Sequence, residues 1–147
     1  MKQRADTVIV QSWTHTTLDG KQLPMRNIIA RFKPTAADHI LYVTHWDTRP
    51  VSDQAENLGE RQLPVPGAND GASGVGLFVA LGDALKKNPP AQGVDLLFVD
   101  GEDYGAFDDQ LADDVHHVVE LPDVDAHRLR QGTKGDFLVR FRRCSSA

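Results

Sequence analysis

The sequence is poor in the features that mark disulfide-rich, membrane-spanning and nucleic-acid-binding proteins. It has one cysteine, Cys144, so no disulfide can form within the chain. No apolar run reaches the length of a membrane-spanning helix, and the first six residues contain no apolar segment of signal-peptide length. The net charge of -5 disfavours nucleic acid as a partner, because phosphate binding needs clustered Lys and Arg. We therefore expect no nucleic-acid or membrane partner. The chain as written predicts a cytoplasmic location, or a secreted or periplasmic one if an N-terminal segment is missing.

What the sequence does contain is a pattern of strands around one helix. Its 147 residues, 40% of them hydrophobic, are enough to bury one core. Alternation predicts strands over 7–16 and 26–32, joined by a turn at Asp19-Gly20. The apolar run at 40–43 and the mostly apolar run at 93–99 predict strands buried on both faces, with a helix over 71–87 between them. This order predicts an α/β fold, with a mixed, largely parallel sheet and helices on both faces in three αβα layers.

Polar residues gather where the two buried strands end and just before the helix. His45 and Asp47 follow the first strand, Asp70 precedes the helix, and Glu102 and Asp103 follow the second strand. Sites in open α/β sheets lie at the carboxyl ends of strands. Imidazole and carboxylate groups bind zinc, and an Asp behind a ligating His fixes its ring. A neighbouring carboxylate suits a general base. The pattern predicts a metal-dependent site.

Each of these features also has an ordinary structural interpretation. A lone His at a strand end is more often a hydrogen-bonded structural residue, and either Asp70 or Ser73 could cap the helix. Glu102 and Asp103 could form a solvated turn. The glycine-rich stretch around Ser73 lacks the spacing of a phosphate loop or a nucleophile elbow. An unrelated α/β protein whose acids bind Mg²⁺ or Ca²⁺ is a further alternative, although His45 suits softer metals better.

Three segments taken together resemble metallopeptidase family 28, which includes bacterial aminopeptidases and the glutaminyl cyclases. They are residues 44–50 (Thr-His-Trp-Asp-Thr-Arg-Pro), 66–75 and 93–105, and the resemblance runs from Leu23 to Gly105. It implies that His45, Asp70 and Asp103 bind one or two zinc ions. It also implies that Asp47 supports His45 from behind and that Glu102 is the catalytic general base. Many family members have Glu at the position of Asp103.

The resemblance implies a zinc-dependent enzyme that acts on the N-termini of peptides or proteins. The sequence of residues 44–50 most resembles the bacterial glutaminyl cyclase-like branch, so cyclisation is favoured over aminopeptidase hydrolysis. The family continues into strands that supply another acid and a final His, whereas His116, His117 and His127 lie in no such context. We therefore expect a partial zinc peptidase/glutaminyl cyclase-like domain over 1–105 and an atypical segment over 106–147. An inactive truncated relic or binding module is the remaining alternative.

Overall fold

The chain begins with a hairpin in the computed structural model, which describes residues 1–104 and the backbone of 138–142. Strands β1 (Thr7–Thr16) and β2 (Gln22–Phe32) pair antiparallel along their whole length. Gly20 in the connecting turn has φ 83°, a left-handed conformation that glycine adopts without steric cost. The second strand begins earlier than the predicted residue 26, because pairing with β1 draws the preceding residues into the ladder.

The remaining elements build a mixed sheet around the strand-helix-strand unit. They are β3 (Asp38–His45), helix α1 (Ala72–Lys87), β4 (Gly93–Val99) and β5 (Leu138–Arg142), with a short 3₁₀ helix at Leu58–Glu60. The strand order is β1-β2-β4-β3-β5. The predicted mixed α/β sheet is confirmed. Among the described strands, however, only the β3–β4 pair is parallel, because the hairpin strand β2 and the late strand β5 both run opposite to their neighbours.

Helix α1 covers one face of the sheet with an aromatic core. Phe78 of α1 contacts Phe98 of β4 edge-on, with ring centroids 5.4 Å apart, and also contacts Tyr42 of β3 at 6.4 Å. Edge-to-face pairs of this kind add to the stabilisation that comes from burying the rings. The fully packed members of this core are Ala30, Phe32, Phe78, Val94, Leu96 and Phe98. The core holds α1 against the two strands whose ends carry the polar clusters.

The opposite face of the sheet combines apolar side chains with a buried charged group. Ile29, Leu41 and Leu97 are almost completely buried there. Between them Arg31 makes a bidentate ion pair with Asp95, with N–O distances of 3.0 and 3.2 Å. His39 Nδ1 lies 3.2 Å from Asp95 Oδ2, one of the two oxygens that accept from Arg31. Buried carboxylates persist only with such partners, so this face depends on charge pairing as well as on apolar packing.

The segment over 106–147, expected to be atypical, is described only at strand β5, which occupies residues 138–142. The rest of that segment lies outside the described residues. Within the part of the chain that the structure describes, no helix combines the length and apolarity needed to cross a bilayer.

Candidate metal centre

The three polar clusters meet at one edge of the sheet. Strands β3 and β4 are parallel and in register, so that His45 pairs with Val99 and both strands end at the same level. The Trp46 N–H donates to the Val99 carbonyl over 3.0 Å and extends this pairing by one step. The loop before α1 returns to the same edge and brings Asp70 beside His45. The parallel pairing of β3 and β4 and the return of the loop before α1 therefore bring three segments that are distant in sequence into one site.

The imidazole of His45 lies at the centre of the site. Its Nε2 atom is 2.8 Å from Asp70 Oδ1. Its Nδ1 atom lies 3.5 Å from Asp47 Oδ1 and 3.9 Å from Glu102 Oε2. The two ring nitrogens thus face different carboxylates. Nε2 faces the exposed Asp70, while Nδ1 faces the half-buried Asp47, which is the arrangement of a metal-binding nitrogen and a nitrogen held from behind.

One group of side chains offers donor atoms close enough to share a cation. His45, Asp70 and Asp103 each present one ligand atom, and these atoms lie within 4.8 Å of one another. Two ligands of one tetrahedral zinc are about 3.3 Å apart, so small side-chain movements suffice. An imidazole and two carboxylates are a donor set that zinc accepts, with a position left for water or substrate. The residues present therefore fit a zinc ion.

Asp47 connects the end of β3 to the turn after β4. Its Oδ2 atom accepts hydrogen bonds from the backbone N–H groups of Asp103, at 3.0 Å, and Tyr104, at 3.4 Å. Its other oxygen faces His45. One carboxylate therefore faces the His45 ring with one oxygen and, with the other, holds the turn that carries Glu102 and Asp103. The second contact could not be read from sequence, because it depends on how the turn folds back.

The structural alternatives for Asp70 and Ser73 are not found. Helix α1 is preceded by Gly71 as its N-cap residue, without a side-chain cap. Asp70 contacts His45 instead, and Ser73 Oγ donates to the Asn69 carbonyl. The side chain of Asp70 is 70% exposed, which leaves its second oxygen accessible. Asp70 is therefore available as a ligand and is not used to start the helix.

The model of peptidase family M28 matches residues 27–115, more than half of the chain. The chain belongs to peptidase family M28. The match includes all five residues of the predicted site and extends past Gly105, where the resemblance visible in the sequence ends.

Solved structures similar to this M28 chain include both glutaminyl cyclases and exopeptidases. A glutaminyl cyclase of Bacteroides thetaiotaomicron, solved with N-acetylhistamine, is 37% identical with a TM-score of 0.67, over 70% of this chain and 35% of its own. A Zn-dependent exopeptidase of Parabacteroides distasonis is 36% identical with a TM-score of 0.66, over 69% and 35%. A probable zinc metalloprotease of Leptosphaeria maculans is 30% identical over 69% of this chain and 23% of its own. The chain thus spans about a third of the solved structures and a quarter of the curated relative.

A glycine makes room for His45 in the M28 site. A Cβ atom built on Gly71 would lie 2.7 Å from the His45 carbonyl oxygen and 2.8 Å from two atoms of its ring. Real Cβ atoms essentially never come within 3.0 Å of another heavy atom. The backbone of Gly71 is in the ordinary right-handed region, so space and not conformation requires glycine here. No spacing in the sequence connects Gly71 with His45, because the two residues meet only in the folded chain.

The electrostatics of the M28 site favour a bound cation. Burial opposes the charged form of His45, but Glu102, Asp70 and Asp47 outweigh it and raise the pKa of the imidazole. Burial raises the pKa of Glu102, partly offset by His45, and the neighbouring acids raise it further. Burial, followed by Asp70, raises the pKa of Asp103. Carboxylates whose pKa values are raised by one another are relieved by a shared positive ion.

Proposed function

We propose that this chain carries the zinc centre of an M28 enzyme that acts on the N-termini of peptides. The observation that carries the proposal is the convergence of ligand atoms of His45, Asp70 and Asp103 within 4.8 Å of one another, with Glu102 beside His45. His45, Asp70 and Asp103 would hold the zinc, and Asp47 would orient His45. Similarity to a Zn-dependent exopeptidase and to a probable zinc metalloprotease supports zinc as the metal. One or two ions are compatible with this ligand set.

Glu102 is suited to move protons. Its carboxylate is 59% exposed, and its nearer oxygen is 3.9 Å from His45 Nδ1, so it stands beside the donor group without belonging to it. Burial and the surrounding acids raise the pKa of Glu102, which makes its carboxylate a better proton acceptor than an ordinary glutamate. A bound zinc ion supplies a Lewis acid that polarises the substrate carbonyl. Glu102 then needs only to lie within reach of the reacting nitrogen or water.

Cyclisation of an N-terminal glutamine is the reaction that we favour. The α-amine attacks the side-chain amide carbon, a C–N bond forms, and the bond to the amide nitrogen breaks. Glu102 takes the proton lost by the α-amine and delivers it to the leaving group, which departs as ammonia. Several similar structures are glutaminyl cyclases, from Tannerella forsythia and Porphyromonas gingivalis among others, which supports this choice.

Aminopeptidase hydrolysis is the second candidate, because exopeptidases match equally well. In that reaction Glu102 takes a proton from the attacking water and passes it to the amine released from the first peptide bond. An open cavity of about 370 Å³ adjoins His45 and Asp70, with Leu77 and Phe78 in its wall. In either reaction, the N-terminal residue of the substrate would occupy this cavity.

The test combines metal analysis with two activity assays. We expect about one or two equivalents of zinc in the purified chain, lost on His45→Ala and on Asp70→Ala. Release of ammonia from a glutaminyl dipeptide would identify the cyclase, and release of p-nitroaniline from an aminoacyl anilide the aminopeptidase. A folded chain without zinc and without either activity would contradict the proposal and favour the inactive relic.

The role of Glu102 has its own test. Glu102→Gln should reduce turnover by at least about 100-fold, because it removes the proton carrier, while zinc content stays nearly unchanged. Glu56→Gln, at an exposed glutamate in the loop before α1, is the matched control and should leave both quantities unaltered. Loss of zinc from Glu102→Gln would instead make Glu102 a metal ligand.

A further inference from the structure

Two consecutive residues of β2, Arg26 and Asn27, contact both of the strand ends that carry the metal centre. Regular pairing between β2 and β4 stops at Ile28 and Phe98. Beyond that point the Arg26 N–H donates to Asp100 Oδ2 at 2.8 Å, and the Asp100 N–H donates to Asn27 Oδ1 at 3.0 Å. Hydrogen bonds to side chains thus link β2 to the chain after β4, beyond the point where the backbone pairing of the two strands ends. They fix the residue from which the turn to Glu102 and Asp103 departs.

The third contact reaches the other strand end. The indole Nε1–H of Trp46 donates to the Arg26 carbonyl at 3.0 Å. Trp46 directly follows His45, and β4 lies between β3 and β2 in the sheet, so this side chain crosses the end of the central strand. In an antiparallel ladder the N–H and C=O of one residue point to the same neighbour. The N–H and C=O of Arg26 are instead hydrogen-bonded to the side chains of Asp100 and Trp46, which belong to the segments that carry the metal centre.

Burial indicates that Asn27 is present for this contact. Its side chain is 0% exposed, and Asp100 is 8% exposed. The Asn27 amide nitrogen is buried without a hydrogen-bond partner among the described residues. An unpaired buried amide group costs about 1–3 kcal/mol, so an apolar residue would serve a purely structural strand better. The hydrogen bond that Asn27 Oδ1 accepts from the Asp100 N–H therefore explains why this position has an amide side chain.

We propose that Asn27 is a positioning residue of the metal centre, acting with the Arg26 backbone and the Trp46 indole. Asn27 fixes the Asp100 N–H and thereby the turn that presents Glu102 and Asp103. Trp46 fixes the chain next to His45 against the same point of β2. The ligands at the ends of β3 and β4, His45 and Asp103, are therefore held relative to each other by β2, a strand that supplies no ligand. The inference rests on the proposed function only in saying that this arrangement serves a bound metal.

Two variants test this, each with a readout that a purely structural role would not change. Asn27→Ala removes the acceptor. Trp46→Phe removes one N–H from a residue that is 42% exposed, so this variant should fold even if the other does not. Trp13→Phe is the matched control, because the Trp13 indole N–H has no hydrogen-bond partner among the described residues. Zinc dissociation constants are measured by competition with a chelator, and hydrogen exchange is followed at the Asp103 and Tyr104 amides.

We expect Asn27→Ala to weaken zinc binding about 10-fold or more and Trp46→Phe to weaken it by about 3- to 10-fold. Exchange at the Asp103 and Tyr104 amides should rise by about 10-fold in Asn27→Ala, while amides of α1 keep their protection. Trp13→Phe should change neither quantity. Unchanged zinc affinity and unchanged exchange in both folded variants would overturn the proposal. If the parent chain binds no zinc but exchange still rises, the proposed function fails, whereas the positioning of the turn stands.

Discussion

Gly71 offers a sharp test of the metal centre, because a single methyl group there would meet His45 alone. A Cβ at Gly71 would lie 2.8 Å from the ring, whereas ordinary contacts begin at 3.4 Å, so the ring must move by about 0.6 Å (3.4 − 2.8). Metal sites tolerate ligand displacements of about 0.2 Å. Gly71→Ala should therefore weaken zinc binding by about 10- to 100-fold, the range seen when support for a ligand is disturbed.

The matched control lies one turn along the same helix. A Cβ at Gly76 would meet nothing within 4 Å. Gly76→Ala should leave zinc affinity unchanged and stabilise the chain by up to about 1 kcal/mol, because alanine is the better helix former. Gly71→Ala should lower the unfolding free energy by about 1–3 kcal/mol through overpacking. Chelator competition gives the zinc affinity, and urea unfolding with and without zinc gives the stability. Equal zinc affinity in Gly71→Ala and Gly76→Ala would refute the view that His45 is held against Gly71 as a ligand.

Three further predictions follow from the same geometry. Asp47→Ala should weaken zinc binding about 10- to 100-fold, because it releases both His45 and the turn after β4; Asp83→Ala, at a surface acid, should leave the affinity measured by chelator competition unaltered. In urea unfolding Asp95→Ala should cost about 3–5 kcal/mol, since it strands the buried Arg31, whereas Asp83→Ala removes an exposed ion pair and should cost roughly 0–1 kcal/mol; similar losses would contradict the burial argument. Because the pKa values of His45, Glu102 and Asp103 are raised, these three groups hold more protons in the folded metal-free chain than in the unfolded chain, so the stability that they contribute should fall as pH rises from about 4 to 8. Stabilisation by added zinc should grow over the same interval, and Glu102→Gln should flatten the fall; a metal-free chain whose stability falls equally in that variant would exclude Glu102 as a contributor.

The fold was predictable wherever a local pattern determined it. Strand β4 lies over the expected residues 93–99, because a run of that length that is apolar apart from Asp95 is typical of a strand buried on both faces. Helix α1 begins within one residue of the expected start, and Asn88 with the following prolines ends it. The start of β2 was missed because Pro24 and polar neighbours conceal the alternation that pairing with β1 imposes. Local signals located the elements, and strand pairing extended them.

The site was predictable only in its directly facing side chains. Parallel strands with a helix between them bring His45 and Glu102 to one edge, so their approach follows from chain order. The roles of Asn27 and Gly71 depend on registers and distances that no spacing in the sequence encodes. One signal was available: Asn27 is a polar residue within the buried part of a strand. The buried group of Arg31, Asp95 and His39 was missed for a similar reason, because its members come from three strands that meet only in the folded sheet.

The position of β4 between β2 and β3 also has a consequence for how the chain matures during synthesis. The β1–β2 hairpin can form as soon as it leaves the ribosome, since its pairing is local. Strands β2 and β3, however, have no direct contact in the sheet and must wait with unpaired edges for a strand that is made later. The same late segment brings Asp100 and Asp103. The joining of β2 to β3 through β4 and the completion of the proposed zinc ligand set therefore depend on the same segment, so zinc uptake would report the moment at which these strands come together.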